Sequence, residues 1–539
     1  MGEQPKVELF LRKSTGLVKE IGPSGAFILP WSCMAGSGIT LYAMQMVYSY
    51  PEGSVPLAFL IIGIPVALSA ASLALMMMCA PRSAGPYVWG TRFIDPFFGW
   101  LGTGWVYFLG NVFSVALVAY TLEAVFPVIF VVMGTGAKIP AFVSFGTALS
   151  SNYTMQVGLG VAVIVIMGGV TMLSIKHYMK VLMALWVINT VGIIVSAGLF
   201  LANNAATIPG NWDALWGAGS FETIVALASK YNLAGYVSST TSGFWTDTLS
   251  IMAYIFWALA GWEATTTVSG EVRNPRASFL YAYVGGVVAT IVWYAAITAA
   301  AYNSYGPFIL QYNYVYNLFT AGKLSTADAA AVSSYMLSPS MPLFAGSLGG
   351  SNSLLVILGS LWFWPLTATL TCVLLATRVA FGMSFDRMFP SAFGRVNERT
   401  HTPVIGAVIV TAVSALWCLV ESSWFGFLVS AANTDWWITL GYLIMAVSAI
   451  SMPYKRKDVW DKGLAKKILG IPDVAFFGAL AAIGMVWLFE LSAIGVSILA
   501  WNATLVWMAI GIIIYVFLVQ KLQGKGVNLN QVYGQVPPP

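Results

Sequence analysis

The 539-residue chain is predicted to be an all-α polytopic membrane protein with twelve transmembrane helices. Three observations predict this. Apolar residues make up 58% of the chain and charged residues 8%, with a mean hydropathy of +0.80, whereas soluble globular domains carry about 25% charged residues. Apolar runs near the length needed to cross a bilayer, about 20 residues, recur along the whole chain. Basic residues alternate with those runs. With the N-terminus placed in the cytoplasm, 22 of the 25 Lys and Arg fall on the cytoplasmic side, and Lys138, Lys230 and Lys323 fall outside. A wrong number of spans would scramble this asymmetry, so it supports twelve helices with both termini inside the cell.

The spans are read at 25–48, 56–79, 97–122, 154–175, 181–202, 248–269, 279–302, 354–380, 403–420, 425–450, 474–497 and 501–520. A cytoplasmic segment, 1–22, precedes them; its polar residues predict no cleaved signal peptide. Five helices fill 23–203, an extracytoplasmic loop covers 204–247, and five more helices fill 248–451. Within that second group lies a long extracytoplasmic loop, 303–353; helices 11 and 12 occupy 452–521, and 522–539 is a cytoplasmic tail. Both long loops are rich in Ser, Asn, Tyr and Gly and poor in charge, and the sequence assigns them no role.

The net charge of +5 does not suggest a nucleic-acid partner; the basic loops could touch anionic lipid, but orientation alone explains them. Cys33, Cys79, Cys372 and Cys418 sit in apolar runs without metal-type spacing and read as small packing residues. His177 and His401 fall in loops, and no metal or other cofactor is expected. The chain holds no phosphate-binding glycine loop, no HExxH and no Ser/His/Asp grouping, which argues against an enzyme.

Two spans are interrupted by glycine. The first contains Ala35-Gly36-Ser37-Gly38-Ile39, and the sixth contains Ala260-Gly261-Trp262-Glu263. If ten helices form two five-helix repeats, these are the first helix of each repeat, and matched interruptions of this kind point to a transporter binding site. Unwound backbone leaves N–H and C=O groups that survive at membrane depth only where they line a cavity or bind something. Amides near Ser37, Gly38 and Ile39 would then face an anion. Carbonyls from Trp257 to Ala260 would face a cation, and an amino acid zwitterion carries both charges. The competing reading makes Gly36 and Gly38 small helix-packing residues. Glu263 shifts the balance toward function, because an ionisable group inside a membrane is costly to keep.

Those residues, with others in order along nearly the whole chain, resemble the amino acid–polyamine–organocation superfamily of secondary transporters. Gly36-Ser37-Gly38-Ile39 is similar to its helix 1 motif, and the stretch Phe256 to Glu263 to its helix 6 motif. Pro81-Arg82-Ser83-Ala84-Gly85-Pro86-Tyr87-Val88-Trp89 resembles the loop before helix 3, and Glu271-Val272-Arg273-Asn274-Pro275-Arg276 the loop after helix 6. Ala376-Thr377-Arg378, Asp386-Arg387-Met388-Phe389-Pro390 and Thr402-Pro403 resemble the end of helix 8 and the start of helix 9. The resemblance implies a LeuT-type fold: a 5+5 inverted repeat plus two extra helices, with helices 1 and 6 unwound. It implies a permease of amino acids or related amines, working as symporter or exchanger in the cell membrane.

It also implies roles for single residues. Amides around Gly36, Ser37, Gly38 and Ile39 would hold a substrate carboxylate. Carbonyls of Met34, Trp257 and Ala260, beside Gly261, would hold the amino group. Asn111 would bond substrate or hold helix 6. Trp257 would be an aromatic lid over the site, or else a plain core or lipid-facing aromatic. Asn189 stands where proton-coupled relatives often keep a lysine, and an amide does not titrate near neutral pH. Cys372 falls near an aromatic gate position of some arginine exchangers and cannot gate by stacking, which weakens an arginine-exchange reading.

Coupling stays open. Thr367 and Thr371 are four apart and share a helix face, so they could bind Na+, or simply hydrogen-bond their own backbone. Glu263 or Asp435 could carry H+, and ion-free exchange is a third route. Asp435 could instead bind a cationic substrate or pair with another helix. Glu123 ends span 3 before Pro127 and reads as interfacial. The competing functions are a polyamine or organic amine carrier, a transporter-like receptor that binds without moving substrate, and a channel.

Overall fold

The computed structural model describes residues 14–34, 36, 38–349, 363–424, 427–494 and 498–537. Ala35 and Ser37 lie outside the described residues, as do 350–362 at the start of predicted span 8. Helix dominates, and the chain is an integral, multi-pass membrane protein. Among the described residues nine helices are long and apolar enough to cross a bilayer; a bent pair, Pro23–Met34 with Gly38–Ser49, makes a tenth. Val404–Val420 is a shorter apolar helix, and Phe244–Leu259 stops at Ala260 before a four-residue helix, Ala264–Thr267. Each predicted span thus overlaps a helix or an interrupted pair.

Burial sorts these helices into layers. The most apolar window of Trp364–Phe385 is wholly buried, whereas that of Trp501–Gly524 is 11% buried. The first is therefore a central helix and the last a peripheral one, showing Ile513 and Phe517 on its outer face. Side chains such as Leu201 and Ile483 are exposed in the same way. An apolar exterior of this kind is what lipid would cover, since helices in a membrane satisfy their backbone groups internally and need no polar shell.

One expectation is corrected. The third span does not end near Glu123: the helix continues through Pro127 to Gly136. A proline inside a helix removes one N–H, yet Pro127 lies within this helix without ending it. The long connections, to which the sequence assigns no role, carry helices of their own. The first carries Ile208–Trp216, Ser220–Lys230 and Leu233–Thr240, and the second carries Phe308–Thr320, Thr326–Val332 and Met341–Gly346. Their aromatic residues pack them together, with Trp212 edge-on to Phe308 and Tyr312. They cap one end of the bundle, where Asn313 donates to the Met44 carbonyl at 2.9 Å and Gln45 to Ser338 Oγ at 3.2 Å.

The opposite end is basic and tightly closed. Here the N-terminal segment runs beside residues 271–273: Glu20 and Ile21 amides donate to the Glu271 carbonyl, and the Arg273 amide donates to that of Ile21 at 2.7 Å. Glu271 is buried in a two-point ion pair with Arg378, at 2.8 and 2.9 Å. A second buried pair joins Arg92 to Asp386, with Nη2 to Oδ1 at 2.8 Å. The tail lies across this end. Arg82 donates to the Pro537 carbonyl at 2.6 Å, Arg92 to that of Gln535 at 3.2 Å, and the Tyr533 ring sits 5.1 Å from the Arg92 guanidinium. A short hairpin, Lys467–Ile468 with Ile471–Pro472, joins two helices on the same side.

Candidate functional site

The two interrupted helices cross at their breaks. In the sixth span, Ala260 leaves helical geometry with ψ 139°, and Gly261 follows at φ +100°, a conformation that side chains rarely adopt. A Cβ on Gly261 would stand 2.5 Å from Cys33 Sγ. In the first span the halves meet at 54°. There a Cβ on Gly38 would stand 2.4 Å from both Cα and N of Ala258. Each broken helix therefore uses a glycine to press against the other. Close backbone approach is a sufficient reason for both residues, whatever else they do.

A cavity lies at this crossing. Its free volume is about 20 Å³, roughly the room of one water molecule. Gly36, Met34 and Cys33 line it from the first span, Trp257, Ala260, Gly261 and Glu263 from the sixth, and Asn111, Ser114 and Val118 from the third. Cys372 closes it from the central helix, and Ile438 and Tyr442 from the helix Phe427–Lys455. The space is too small for an amino acid without movement of lining side chains. Trp257, 7% exposed, is one of these.

Glu263 is 1% exposed and sits between the break and the short helix that follows. Tyr107 donates to its Oε1 at 2.5 Å. Its Oε2 is buried with no hydrogen-bond partner among the described residues. The break around it is braced: the Gly261 amide donates to Tyr442 Oη at 3.1 Å, and Trp262 packs 4.0 Å from the Tyr442 ring, centroid to centroid. Trp262 also donates to Ser69 Oγ at 3.3 Å. On the first span the Met34 carbonyl accepts from Tyr294 Oη at 3.0 Å. A carbonyl has two lone pairs, so that bond leaves one free.

The sequence-predicted residues divide. Met34, Gly36, Asn111, Trp257, Ala260, Gly261 and Glu263 meet at the cavity. Gly38 and Ile39 are buried beside it without lining it, and Ser37 lies outside the described residues. Asn111 donates to its own helix, at the Tyr107 carbonyl, 2.8 Å away. Asn189 is buried on Ile175–Ala202, away from the lining, and its Oδ1 finds no partner among the described residues. Thr367 and Thr371 donate to the carbonyls of Trp364 and Thr367, each at 2.7 Å. The side chain of Asp435 lies outside the described residues. The Glu123 side chain is likewise outside the described residues.

Sequence reasoning missed Tyr107 and Tyr442, since a tyrosine among 24 carries no signal of its own. It took Cys33 and Cys372 for packing residues. The motif pieces at Ser83, Glu271 and Arg378 prove to be one assembly: Ser83 Oγ donates to Glu271 Oε1 at 3.3 Å beside the Arg378 pair. Among the described residues no three His, Cys, Asp or Glu gather in a way that could hold a metal ion.

Comparison with known proteins agrees with this architecture. A family model described as amino acid permease matches residues 21–518. An arginine/ornithine antiporter of Latilactobacillus sakei is 22% identical over 459 residues, covering 84% of this chain and 82% of that protein. An uncharacterised transporter of Rhizobium meliloti (strain 1021) is 27% identical over 233 residues, 43% of this chain and 42% of its own length.

Proposed function

The chain belongs to the amino acid permease family, and from that premise we propose that it is a secondary carrier moving an amino acid or related amine by alternating access. The observation that carries this is the cavity where the two broken helices cross, with one Glu263 oxygen unpaired beside it. Substrate binds there, its carboxylate toward the amides of Gly36 to Ile39. Its ammonium faces the carbonyls of Trp257 and Ala260, with Met34 and Asn111 at the margin. Trp257 moves to admit it.

Twelve spans in a 5+5 inverted repeat, with two peripheral helices, account for the matched breaks and for the placement of basic residues. On that reading the basic end is cytoplasmic and holds both termini. The ion pair of Glu271 with Arg378 and its neighbours close the route to the cytoplasm in this conformation. Opening there requires these contacts to separate while the helical cap at the other end stays shut, as alternating access demands.

For coupling, the proposal favours H+ or plain exchange over Na+. The reason is Glu263, a buried carboxylate at the helix break and on the cavity lining. The threonine hydroxyls donate to their own helix but keep lone pairs for a cation, so Na+ stays the alternative to be tested. Asp435 is the second candidate carrier of a proton. Arginine or ornithine exchange, by analogy with the antiporter, belongs among the substrates to be tried.

The test is thermal unfolding of the purified protein against single amino acids and amines, followed by uptake into proteoliposomes under imposed gradients. The expected result is stabilisation by an amino acid, weaker stabilisation by its decarboxylated amine, and uptake that saturates. Equal affinity for the amine would favour a polyamine or amine carrier, and binding without uptake a receptor. Accumulation driven by a Na+ gradient alone, and abolished by Thr371→Ala, would overturn the coupling assignment.

A further inference from the structure

Two thiols face each other inside the cavity. Cys33 Sγ and Cys372 Sγ are 3.9 Å apart although 339 residues separate them in the chain. One belongs to the helix Pro23–Met34, next to its break, and the other to the central helix Phe363–Phe385. Both line the cavity, and they are 8% and 6% exposed. The missing Cβ of Gly261 leaves the space that Cys33 Sγ fills. Cys79 is placed differently, at the basic end, with its thiol on the Trp460 carbonyl at 3.8 Å.

A disulfide has sulfurs about 2.0 Å apart and tolerates a narrow range of side-chain geometry. Cys33 and Cys372 need an approach of roughly 2 Å to reach it. We propose that this dithiol is a modification site in the substrate cavity: a peroxide-class oxidant joins Cys33 to Cys372, and the bond arrests the carrier until a thiol reductant reopens it.

The chemistry balances with one peroxide. One thiolate sulfur attacks a peroxide oxygen; the O–O bond breaks, hydroxide leaves and takes up the proton released by the thiol, and a sulfenic acid remains. The second sulfur attacks the sulfenyl sulfur, the S–S bond forms, and the S–O bond breaks with loss of water. Two thiols give up two electrons and two protons, and hydrogen peroxide becomes two waters. Apolar burial slows this by disfavouring the thiolate, so the reaction belongs to conformations in which the cavity is opened to water. Arrest follows from placement. The link would tie the first broken helix to the central helix across the very space that substrate needs. That part rests on the carrier reading above; the formation of the link does not.

The experiment uses the full-length Cys79→Ser/Cys418→Ser protein, in which Cys33 and Cys372 are the only cysteines. After treatment with hydrogen peroxide, free thiols are alkylated and the peptides analysed by mass spectrometry. The expected product is a Cys33–Cys372 linked peptide pair that dithiothreitol splits. Reconstituted protein is then given a mixture of radiolabelled L-amino acids. Uptake is expected to fall to the level of empty vesicles over the peroxide range that forms the link, and to return with dithiothreitol. Thiols that stay unlinked while sulfinic acid accumulates would overturn the site, and linked protein with undiminished uptake would overturn the arrest. If the reduced protein takes up no amino acid, the carrier reading fails. The dithiol site is then judged on the linked peptide and on a reductant-reversible rise in Tm, whose absence counts against pinning.

Discussion

The cavity and the basic end lie on the same helices and solve opposite problems. At the cavity, a lone carboxylate has, among the described residues, no opposite charge and no partner for one oxygen, Glu263 Oε2, beside a Gly261 held at φ +100°. At the basic end, buried charges are paired with opposite charges, Glu271 with Arg378 and Arg92 with Asp386. Unmatched polar groups in a membrane interior cost free energy, and a ligand bound at the cavity would recover part of that cost. Matched buried charges add little net stability but are severely destabilising when split. The comparison teaches where to look for function and where for structure. Substitutions at the basic end should act mainly on unfolding, and those at the cavity mainly on binding.

The largest effect on unfolding is expected from Arg378→Met. It strands the Glu271 carboxylate in a site where both side chains are 1% exposed, a change that costs about 3–5 kcal/mol in buried pairs. Thermal unfolding should show a large drop, and adding Glu271→Leu should restore much of it. A single variant as stable as the parent would mean that the pair is not buried in the working protein.

Gly38→Val comes next. Its Cβ would overlap the Ala258 backbone, which cannot yield as a side chain can. Overpacking of this kind costs about 1–3 kcal/mol. Amino acid binding should be lost while a folded fraction survives, and calorimetric titration on that fraction checks it. Retained binding would break the link between the helix crossing and the site.

Glu263→Gln should move unfolding less, because the amide oxygen can still accept from Tyr107; the expected shift is about 1 kcal/mol, the net worth of one hydrogen bond. Uptake, by contrast, should fall steeply or lose its dependence on pH. Proteoliposome assays across pH 5 to 8 decide between this and a purely structural Glu263. Unchanged uptake with an unchanged profile would place this residue with the basic end rather than opposite it.

The smallest effect belongs to the exposed pair on the helical cap, Lys230 with Asp328, at 2.7 Å. Lys230, with Ser325 and Tyr231, holds the Asp328 carboxyl down at about 2. A depressed carboxyl contributes its stability above the ordinary aspartate range, near 3.9, and loses it as pH falls through the folded value. The difference in Tm between the parent and Asp328→Asn should therefore be small and flat from pH 5 to 8, shrink as pH falls below about 4, and vanish below about pH 2. It should also shrink in salt. A difference that instead changes near neutral pH would contradict the assignment.

By itself the sequence determined the membrane class, the recurrence of apolar helices along the chain, the glycines that interrupt two of them and the presence of Glu263 in an apolar run. These are local properties. Hydropathy is summed over one helix, a glycine breaks the helix it sits in, and a carboxylate inside an apolar run is visible without knowing its neighbours. The helix that continues past Pro127 shows the limit of such reading, since a single residue's preference does not fix where a helix ends. Only the tertiary structure decided which side chains meet. Tyr107 reaches Glu263, Tyr442 braces Gly261, Ser83 and Arg378 converge on Glu271, and Cys33 comes within 3.9 Å of Cys372. It also decided that Gly38 packs on Ala258. Each of these pairings depends on how helices distant in sequence are rotated and stacked against one another, and periodicity along a single helix holds no record of that.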